Sequence, residues 1–129
     1  MQPASVYEAI GGMPTFEKIV RGFYEQIPED DILGPMYPAE DMAGAEDRLR
    51  WFLVQYWGGP ALFNENRGAP RLRMRHFEFP IDMAAHDRWL ELMANSLEKI
   101  DEETIPQAYR QMIWQHMQQV AAMLINKAP

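Results

Sequence analysis

The histidines are the side chains that most narrow the possible chemistry of this chain. Its 129 residues contain three histidines and no cysteine, so a metal or acid–base centre would rely on few imidazoles. His116 falls on the apolar face of the last predicted helix, where we expect a packing residue with one hydrogen-bond partner. His86 lies early in the preceding helix, between Ala85 and Asp87, and is expected at the surface.

His76 differs from the other two because it closes a basic segment, Arg71-Leu72-Arg73-Met74-Arg75-His76. One neutral imidazole nitrogen is the axial ligand that haem iron takes in globins and peroxidases. Nearby arginines suit the haem carboxylates, since a guanidinium fork binds a carboxylate through two parallel hydrogen bonds. The same residues also fit a solvated arginine face with an incidental histidine, and this segment alone leaves both interpretations open.

Three aromatic residues with polar groups form a second candidate set: Tyr24, Tyr37 and Trp89. The two tyrosines fall where an apolar pattern meets a turn, and Trp89 lies in the middle of a predicted apolar helix face. A buried Tyr hydroxyl or Trp indole N–H usually needs a hydrogen-bond partner. Taken alone, the three also fit ordinary core aromatics.

Other kinds of catalytic or metal site find no support in the sequence. It has no His-Glu-x-x-His motif, no Gly-x-Ser-x-Gly elbow and no phosphate-binding loop. The adjacent carboxylates of Glu29-Asp30-Asp31 and Glu102-Glu103 lie near predicted helix starts, where they fit solvated caps. A zinc site held by protein ligands alone is therefore not expected.

All of these residues must be positioned by helices, because the apolar residues recur at helical spacing throughout the chain. The pattern predicts four substantial helices and two short ones, and no convincing alternation marks a strand. Ser5 and Glu8 fit a capping box for a short first helix, and Thr104 and Gln107 fit one for the last. The other helical segments are predicted over residues 14–27, 41–57, 71–77 and 83–100, with a loop over 58–70.

Composition and charge limit the class of protein. Apolar residues make up 47% and the formal net charge is -7, which fits one folded domain over residues 1–129 and argues against nucleic-acid binding. The lack of cysteine excludes disulfides and thiolate chemistry. The first residues lack a signal-peptide pattern, and no stretch has the ~18 apolar residues of a membrane span, so a cytoplasmic location is expected.

Several motifs resemble the group II truncated haemoglobins. The matches keep consistent spacing from about Tyr7 to Asn126. Gly-Gly-Pro alone is common, but the whole set is specific to this family. The matching segments are Phe23-Tyr24, Met36-Tyr37-Pro38, Gln55-Tyr56-Trp57-Gly58-Gly59-Pro60, Arg71-Leu72-Arg73-Met74-Arg75-His76, Asp87-Arg88-Trp89-Leu90 and Met123-Leu124-Ile125-Asn126.

The resemblance implies an all-α truncated-globin fold, a two-over-two helical sandwich around one haem b. It implies that His76 is the proximal iron ligand and that Tyr24, Tyr37 and Trp89 are the polar residues on the distal, ligand-binding side. It further implies that Ala45 and Leu49 are distal-helix positions facing the ligand and that Phe52 and Phe63 contact the haem. Arg48 and Arg75 match positions that bind the haem propionates.

Two departures from relatives affect the loop before His76. Many relatives have Arg-Gly-His-Pro where this chain has Arg67-Gly68-Ala69-Pro70, and many have tyrosine at the position of Phe63. Both departures leave iron ligation intact but change the loop and its propionate contacts. Arg73 is a candidate to compensate for them.

The expected function is reversible binding of oxygen, carbon monoxide and nitric oxide, with high affinity for oxygen and slow release. Hydrogen-bond donors aimed at negative charge on a ligand stabilise its bound state. Slow release favours redox chemistry with oxygen, nitric oxide or peroxide, which needs an electron donor, over bulk delivery. Storage or sensing without turnover and a haem-free helical interaction module are the alternatives, and a homodimer is compatible with the helix faces.

Overall fold

The computed structural model describes residues 5–128, which form helices, turns and loops without a strand. Within this range the chain forms seven α-helices: α1 (Val6–Ala9), α2 (Met13–Tyr24), α3 (Met42–Tyr56), α4 (Leu62–Arg67), α5 (Leu72–Arg75), α6 (Met83–Glu98) and α7 (Gln107–Met123). Two 3-10 turns, Gly34–Met36 and Ala39–Asp41, lie between α2 and α3. The predicted all-α class is confirmed.

Helix α2 lies at the centre of the core because one of its faces is completely buried. Ile19, Val20 and Phe23 are each 0% exposed, at the spacing that places side chains on one face of a helix. This helix packs against both α3 and α6. Its close contact with α6 depends on Gly22, because a Cβ there would collide with the Ser96 hydroxyl.

The four long helices form the two layers of the implied sandwich. Helix α2 packs on α3 and α6, and α6 in turn packs on α7. The turn from α6 to α7 is closed by Arg110, whose guanidinium donates to the carbonyls of Leu97 and Ile100. Leu97 lies in the last turn of α6 and Ile100 just beyond its end, so Arg110 ties α7 to this turn. No helix within the described residues is long and apolar enough to cross a membrane.

One predicted helix cap is present and the other is wrong. Ser5 Oγ accepts the N–H of Glu8 at 3.1 Å and caps α1. Helix α7 begins at Gln107 without a side-chain cap. Thr104 instead belongs to the preceding turn, where its N–H donates to Asp101 Oδ1 at 2.8 Å. The Asp101 carboxylate thus accepts the Thr104 N–H, which the predicted capping box would pair with the Gln107 side chain.

The predicted loop over 58–70 is also partly wrong, because α4 spans Leu62–Arg67. A helix this short, with few apolar positions, shows no periodicity. Contacts with α3 hold it instead: Gln55 Oε1 accepts the N–H of Asn64 at 2.9 Å, and Gln55 Nε2 donates to Asn64 Oδ1 at 3.0 Å. Phe63, on the inner side of α4, is only 3% exposed.

Candidate functional site

A cavity of about 480 Å³ is lined by residues from α2, α3, α6 and α7 and from the segment that contains α4 and α5. Its size lies within the range of about 300–1,000 Å³ that is usual for cofactor and small-molecule sites. The structure brings every predicted site residue to this cavity: Tyr24, Tyr37, Ala45, Arg48, Leu49, Phe52, Phe63, Arg75, His76 and Trp89.

His76 directly follows α5 and is half-buried in the cavity wall. Its Nδ1 lies 2.7 Å from the carbonyl oxygen of Leu72. Because a carbonyl can only accept, Nδ1 donates and the neutral ring keeps its lone pair on Nε2. A hydrogen bond of this kind fixes the tautomer and orientation of a metal-binding histidine. The ring is thus prepared to offer Nε2 to a metal.

The turn after His76 is held by one amide side chain from the segment after α7. Asn126 Nδ2 donates to the carbonyl oxygens of His76 at 3.2 Å and of Phe79 at 2.9 Å. Asn126 Oδ1 accepts the N–H of Ile81 at 2.9 Å. This single residue therefore satisfies three backbone groups around the histidine and ties the turn to the end of α7.

Tyr24 and Tyr37 meet at the cavity with their rings edge to face, 5.6 Å apart between centroids. The Tyr24 hydroxyl donates to the carbonyl of Ala45 on α3 at 3.1 Å. Burial, and then the neighbouring Tyr37 hydroxyl, raise the pKa of Tyr24 far above its usual value. Desolvation also raises the pKa of Tyr37 to about 12, although the Tyr24 hydroxyl offsets part of the rise. Both hydroxyls therefore keep their protons at neutral pH.

Trp89 brings a third polar group to the cavity, from α6. Its ring packs against Phe23 of α2, with centroids 5.7 Å apart. The indole N–H is a donor only. Ala45, Leu49 and Phe52 line the cavity from α3 and carry no side-chain hydrogen-bonding group. The part of the cavity wall formed by these three α3 residues is consequently apolar.

Arg48 is already paired with a carboxylate of the chain. Its Nη2 lies 2.7 Å from Asp41 Oδ2, and both residues line the cavity. Gly44 makes room for the pair, because a Cβ there would collide with the Asp41 side chain. Arg48 would have to exchange this partner to bind a haem carboxylate.

Two residues that the sequence analysis left out of the site also line the cavity. The surface expectation for His86 is wrong, since it is partly buried at the cavity, with Nδ1 2.8 Å from Asp87 Oδ1. His116 is buried and stacks on Tyr56, with centroids 3.6 Å apart, as expected of a packing residue. Its Nδ1, however, has no hydrogen-bond partner among the described residues. The four-residue spacing of His116 and Val120 on α7 was the signal in the sequence that could have placed His116 at the cavity.

The chemistry of this lining fits a haem. A haem needs an axial nitrogen for its iron, apolar walls for its flat ring and cations for its carboxylates. The cavity provides the free Nε2 of His76, the apolar face of α3 and arginines in its lining. Polar groups that stay protonated, on Tyr24 and Tyr37, complete the set.

Comparison with known proteins identifies the same kind of molecule. The bacterial-like globin family model matches residues 5–126. The group 2 truncated haemoglobin YjbI of Bacillus subtilis (strain 168) is 32% identical over 121 residues, which cover 94% of this chain and 88% of that protein.

Solved structures agree in fold as well as sequence. A thermostable haemoglobin from the actinobacterium Thermobifida fusca has 44% identity and a TM-score of 0.87, covering 95% of this chain and 97% of the other. A truncated oxygen-avid haemoglobin from Bacillus subtilis has 31% identity and a TM-score of 0.86, covering 95% and 99%. Helical architecture, cavity lining and similarity over nearly the whole chain therefore agree: this chain belongs to the bacterial-like globin family, as a group II truncated haemoglobin, and the family implies haem-based binding of oxygen.

Proposed function

We propose that this protein binds haem b through His76 and holds oxygen and related diatomic ligands with high affinity and slow release. When bound, haem iron supplies reversible binding of oxygen, carbon monoxide and nitric oxide, and one-electron chemistry. One observation carries the proposal: the His76 imidazole, whose Nδ1 is bonded to the Leu72 carbonyl, and three polar aromatic side chains line the same cavity. The similar Bacillus subtilis structure, described as an oxygen-avid haemoglobin, supports it.

The polar side chains act by stabilising negative charge on a diatomic ligand held in the cavity. The Trp89 indole N–H and the Tyr37 hydroxyl would donate to the ligand, while the Tyr24 ring packs edge to face on Tyr37 and its hydroxyl is fixed to α3 through Ala45. A hydrogen bond to a charged group contributes about 1.5–3 kcal/mol. Two such donors would slow ligand escape by about a hundredfold or more, since 1.4 kcal/mol is a factor of about ten.

The same residues favour ligand retention over peroxide cleavage. A general acid works best when its pKa lies near the working pH. The pKa of Tyr37 is raised to about 12 and that of Tyr24 is raised further, so both are poor sources of a proton. They remain good hydrogen-bond donors throughout the physiological range. Turnover of peroxide or nitric oxide would also require an electron donor.

The proposal is tested by haem titration of the purified chain and of His76→Ala. We expect the wild type to take up one haem per chain, with an intense Soret band whose position responds to carbon monoxide. The variant should lose stoichiometric uptake, because it lacks the cavity imidazole that the fold orients through the Leu72 carbonyl. His86→Ala is the matched control, since it removes another cavity imidazole whose Nδ1 faces a carboxylate, and it should bind haem normally.

Two results would contradict the proposal in different ways. A wild-type chain that shows no Soret band after titration would instead be a haem-free helical interaction module. Normal retention of haem by His76→Ala, with an unchanged axial-ligand spectrum, would refute the ligand assignment alone. Circular dichroism of each variant separates loss of the ligand from loss of the fold.

A further inference from the structure

Arg75 is the cavity arginine that is most completely bonded within the protein. Its Nε donates to the carbonyl of Pro70 at 2.6 Å, and its Nη2 donates to the carbonyls of Arg67 at 2.7 Å and Ala69 at 3.0 Å. The acceptors are the last residue of α4, Arg67, and two residues of the loop between α4 and α5. The guanidinium also lies over the ring of Phe63, 5.3 Å from its centroid.

This geometry leaves no edge of the guanidinium for two-point binding of a carboxylate. Such binding uses either Nε and Nη2 or Nη1 and Nη2, because these are the two edges with parallel N–H groups. Nη2 carries two protons and donates to both Arg67 and Ala69. The edge formed by Nε and Nη2 therefore has both donors occupied, and the edge formed by Nη1 and Nη2 lacks its Nη2 donor.

The loop that Arg75 holds contains a strained residue. Arg71 has φ of +41°, and it is the one non-glycine residue with positive φ in the described part of the chain. Such a conformation costs about 1–3 kcal/mol and persists only where the surroundings impose it. Arg75 bonds the carbonyls of the two residues just before Arg71, and its N–H also donates to the Arg71 carbonyl at 3.1 Å, so its contacts surround the strained residue.

Arg67 has the opposite character. Its side chain is exposed at the cavity, and none of the described residues pairs with its guanidinium as a salt bridge. Its own carbonyl is one of the groups that Arg75 binds. Both edges of its guanidinium are consequently available to a carboxylate, and Arg75 fixes the backbone from which it projects.

We propose that Arg75 is a positioning residue that clasps the 67–70 loop against α5, and that Arg67 binds a haem carboxylate in its place. The inference rests on the proposed haem function. His76 is the next residue after Arg75, so the clasp fixes the backbone that carries the iron ligand. Phe63 takes part because an apolar ring supports a guanidinium whose donors are already satisfied by carbonyls.

The decisive experiment compares haem with haem dimethyl ester, in which both carboxylates are blocked. The rate of haem loss to excess apomyoglobin is measured for the wild type, Arg75→Ala, Arg75→Lys and Arg67→Ala. We expect Arg75→Ala to speed loss of both cofactors by the same factor, about tenfold for a side chain with several hydrogen bonds. Arg67→Ala should speed loss of haem but leave loss of the ester unchanged.

Arg75→Lys distinguishes a role in bonding the loop carbonyls from a role that needs only a positive charge. Lysine keeps the charge but cannot bond three carbonyls with a planar fork, so it should behave like alanine. The proposal is overturned if lysine restores the wild-type rate, or if the effect of Arg75→Ala disappears with the ester. Either result would make Arg75 a carboxylate ligand.

A second measurement needs no haem. Amide hydrogen exchange over residues 67–71 should be faster in Arg75→Ala than in the wild type, with α6 unchanged as the internal reference. Unchanged exchange over 67–71 would overturn the clasp. If the wild type fails to take up haem, the proposed function fails, and this exchange measurement still decides the role of Arg75.

Discussion

The two sides of the cavity are built differently. Tyr24 and Trp89 project from long helices whose partners are buried in the core, and Phe23 between them is 0% exposed. His76 follows a four-residue helix, in a segment where Met74 and Phe77 are 61% and 79% exposed. The groups that would meet a ligand are thus fixed by packing, whereas the group that would hold iron is fixed by a few polar contacts.

This difference predicts where changes in the protein will be felt. Segments with few buried apolar contacts open locally, at a lower free energy than the whole domain. The segment containing α4, α5 and His76 is of this kind, because its stability depends on bonds from Gln55, Arg75 and Asn126. Substitutions there should affect cofactor retention, while substitutions on the α2–α6 side should affect the bound ligand.

The largest expected effect is on ligand release after Trp89→Phe. Loss of the indole N–H removes one donor to a charged ligand but keeps an aromatic ring against Phe23. We expect oxygen to dissociate about ten- to a hundredfold faster, measured by stopped flow, with haem retention unchanged. Trp114→Phe is the matched control, since Trp114 packs against the core from α7 but does not line the cavity.

A dissociation rate within a factor of about two of the wild type, well below the effect of one such bond, would contradict the role of Trp89. Faster haem loss in the same variant would weaken the comparison itself, because it would show that the packed side also controls cofactor retention.

An intermediate effect is expected for Asn126→Ala, on the other side of the cavity. The change removes three side-chain bonds to the backbone around His76. We expect haem loss to be about three- to tenfold faster, with a change in the free energy of unfolding of about 1 kcal/mol, since solvent replaces much of what is lost. Haem transfer and urea unfolding measure the two quantities.

Asn95→Ala provides the control for this variant. Asn95 is an exposed residue of α6 that donates to Gln26 Oε1 at 2.9 Å, away from the cavity. It should leave haem loss unchanged. If both variants lose haem equally fast, or if Asn126→Ala unfolds the whole domain, the histidine segment is not the separate, lightly held unit described above.

The parts of the site that were predictable are those with a spacing signal. The long helices follow from apolar periodicity, and the resemblance identifies His76, Tyr24 and Trp89 by residues at consistent distances along the chain. Tyr24 and Trp89 lie on long helices whose buried faces follow from apolar spacing, whereas His76 follows a short helix without a buried residue and is identified by the resemblance. The structure accordingly brings them to one cavity.

The parts that were not predictable depend on contacts with the backbone or between distant segments. Helix α4 forms although its own residues carry little periodicity, because Gln55 pairs with Asn64. The partners of Arg75 are carbonyl oxygens, which every residue possesses and which no motif marks. His116 had a packing pattern but gave no sign that its Nδ1 would lack a partner.

The imidazole of His116 supplies the smallest predicted effect. His116 is 7% exposed and stacks on Tyr56, with Phe52 and Trp57 also against its ring. Burial among these uncharged aromatics lowers its pKa below the usual value near 6.5. The folded protein therefore keeps this ring neutral at pH values where the unfolded chain binds a proton.

His116→Phe should consequently reduce the loss of stability in mild acid. As pH falls below about 6.5, the unfolded state gains a proton that the folded state does not bind, so unfolding becomes easier. Phenylalanine keeps the stack and removes the titration, so the drop in Tm between pH 7.5 and 5.5 should shrink by a few degrees. His86→Phe controls for a new phenylalanine at the cavity. An equal drop in Tm for His116→Phe and the wild type would show that the buried imidazole gains its proton without opposing the fold, through a partner or water that reaches Nδ1.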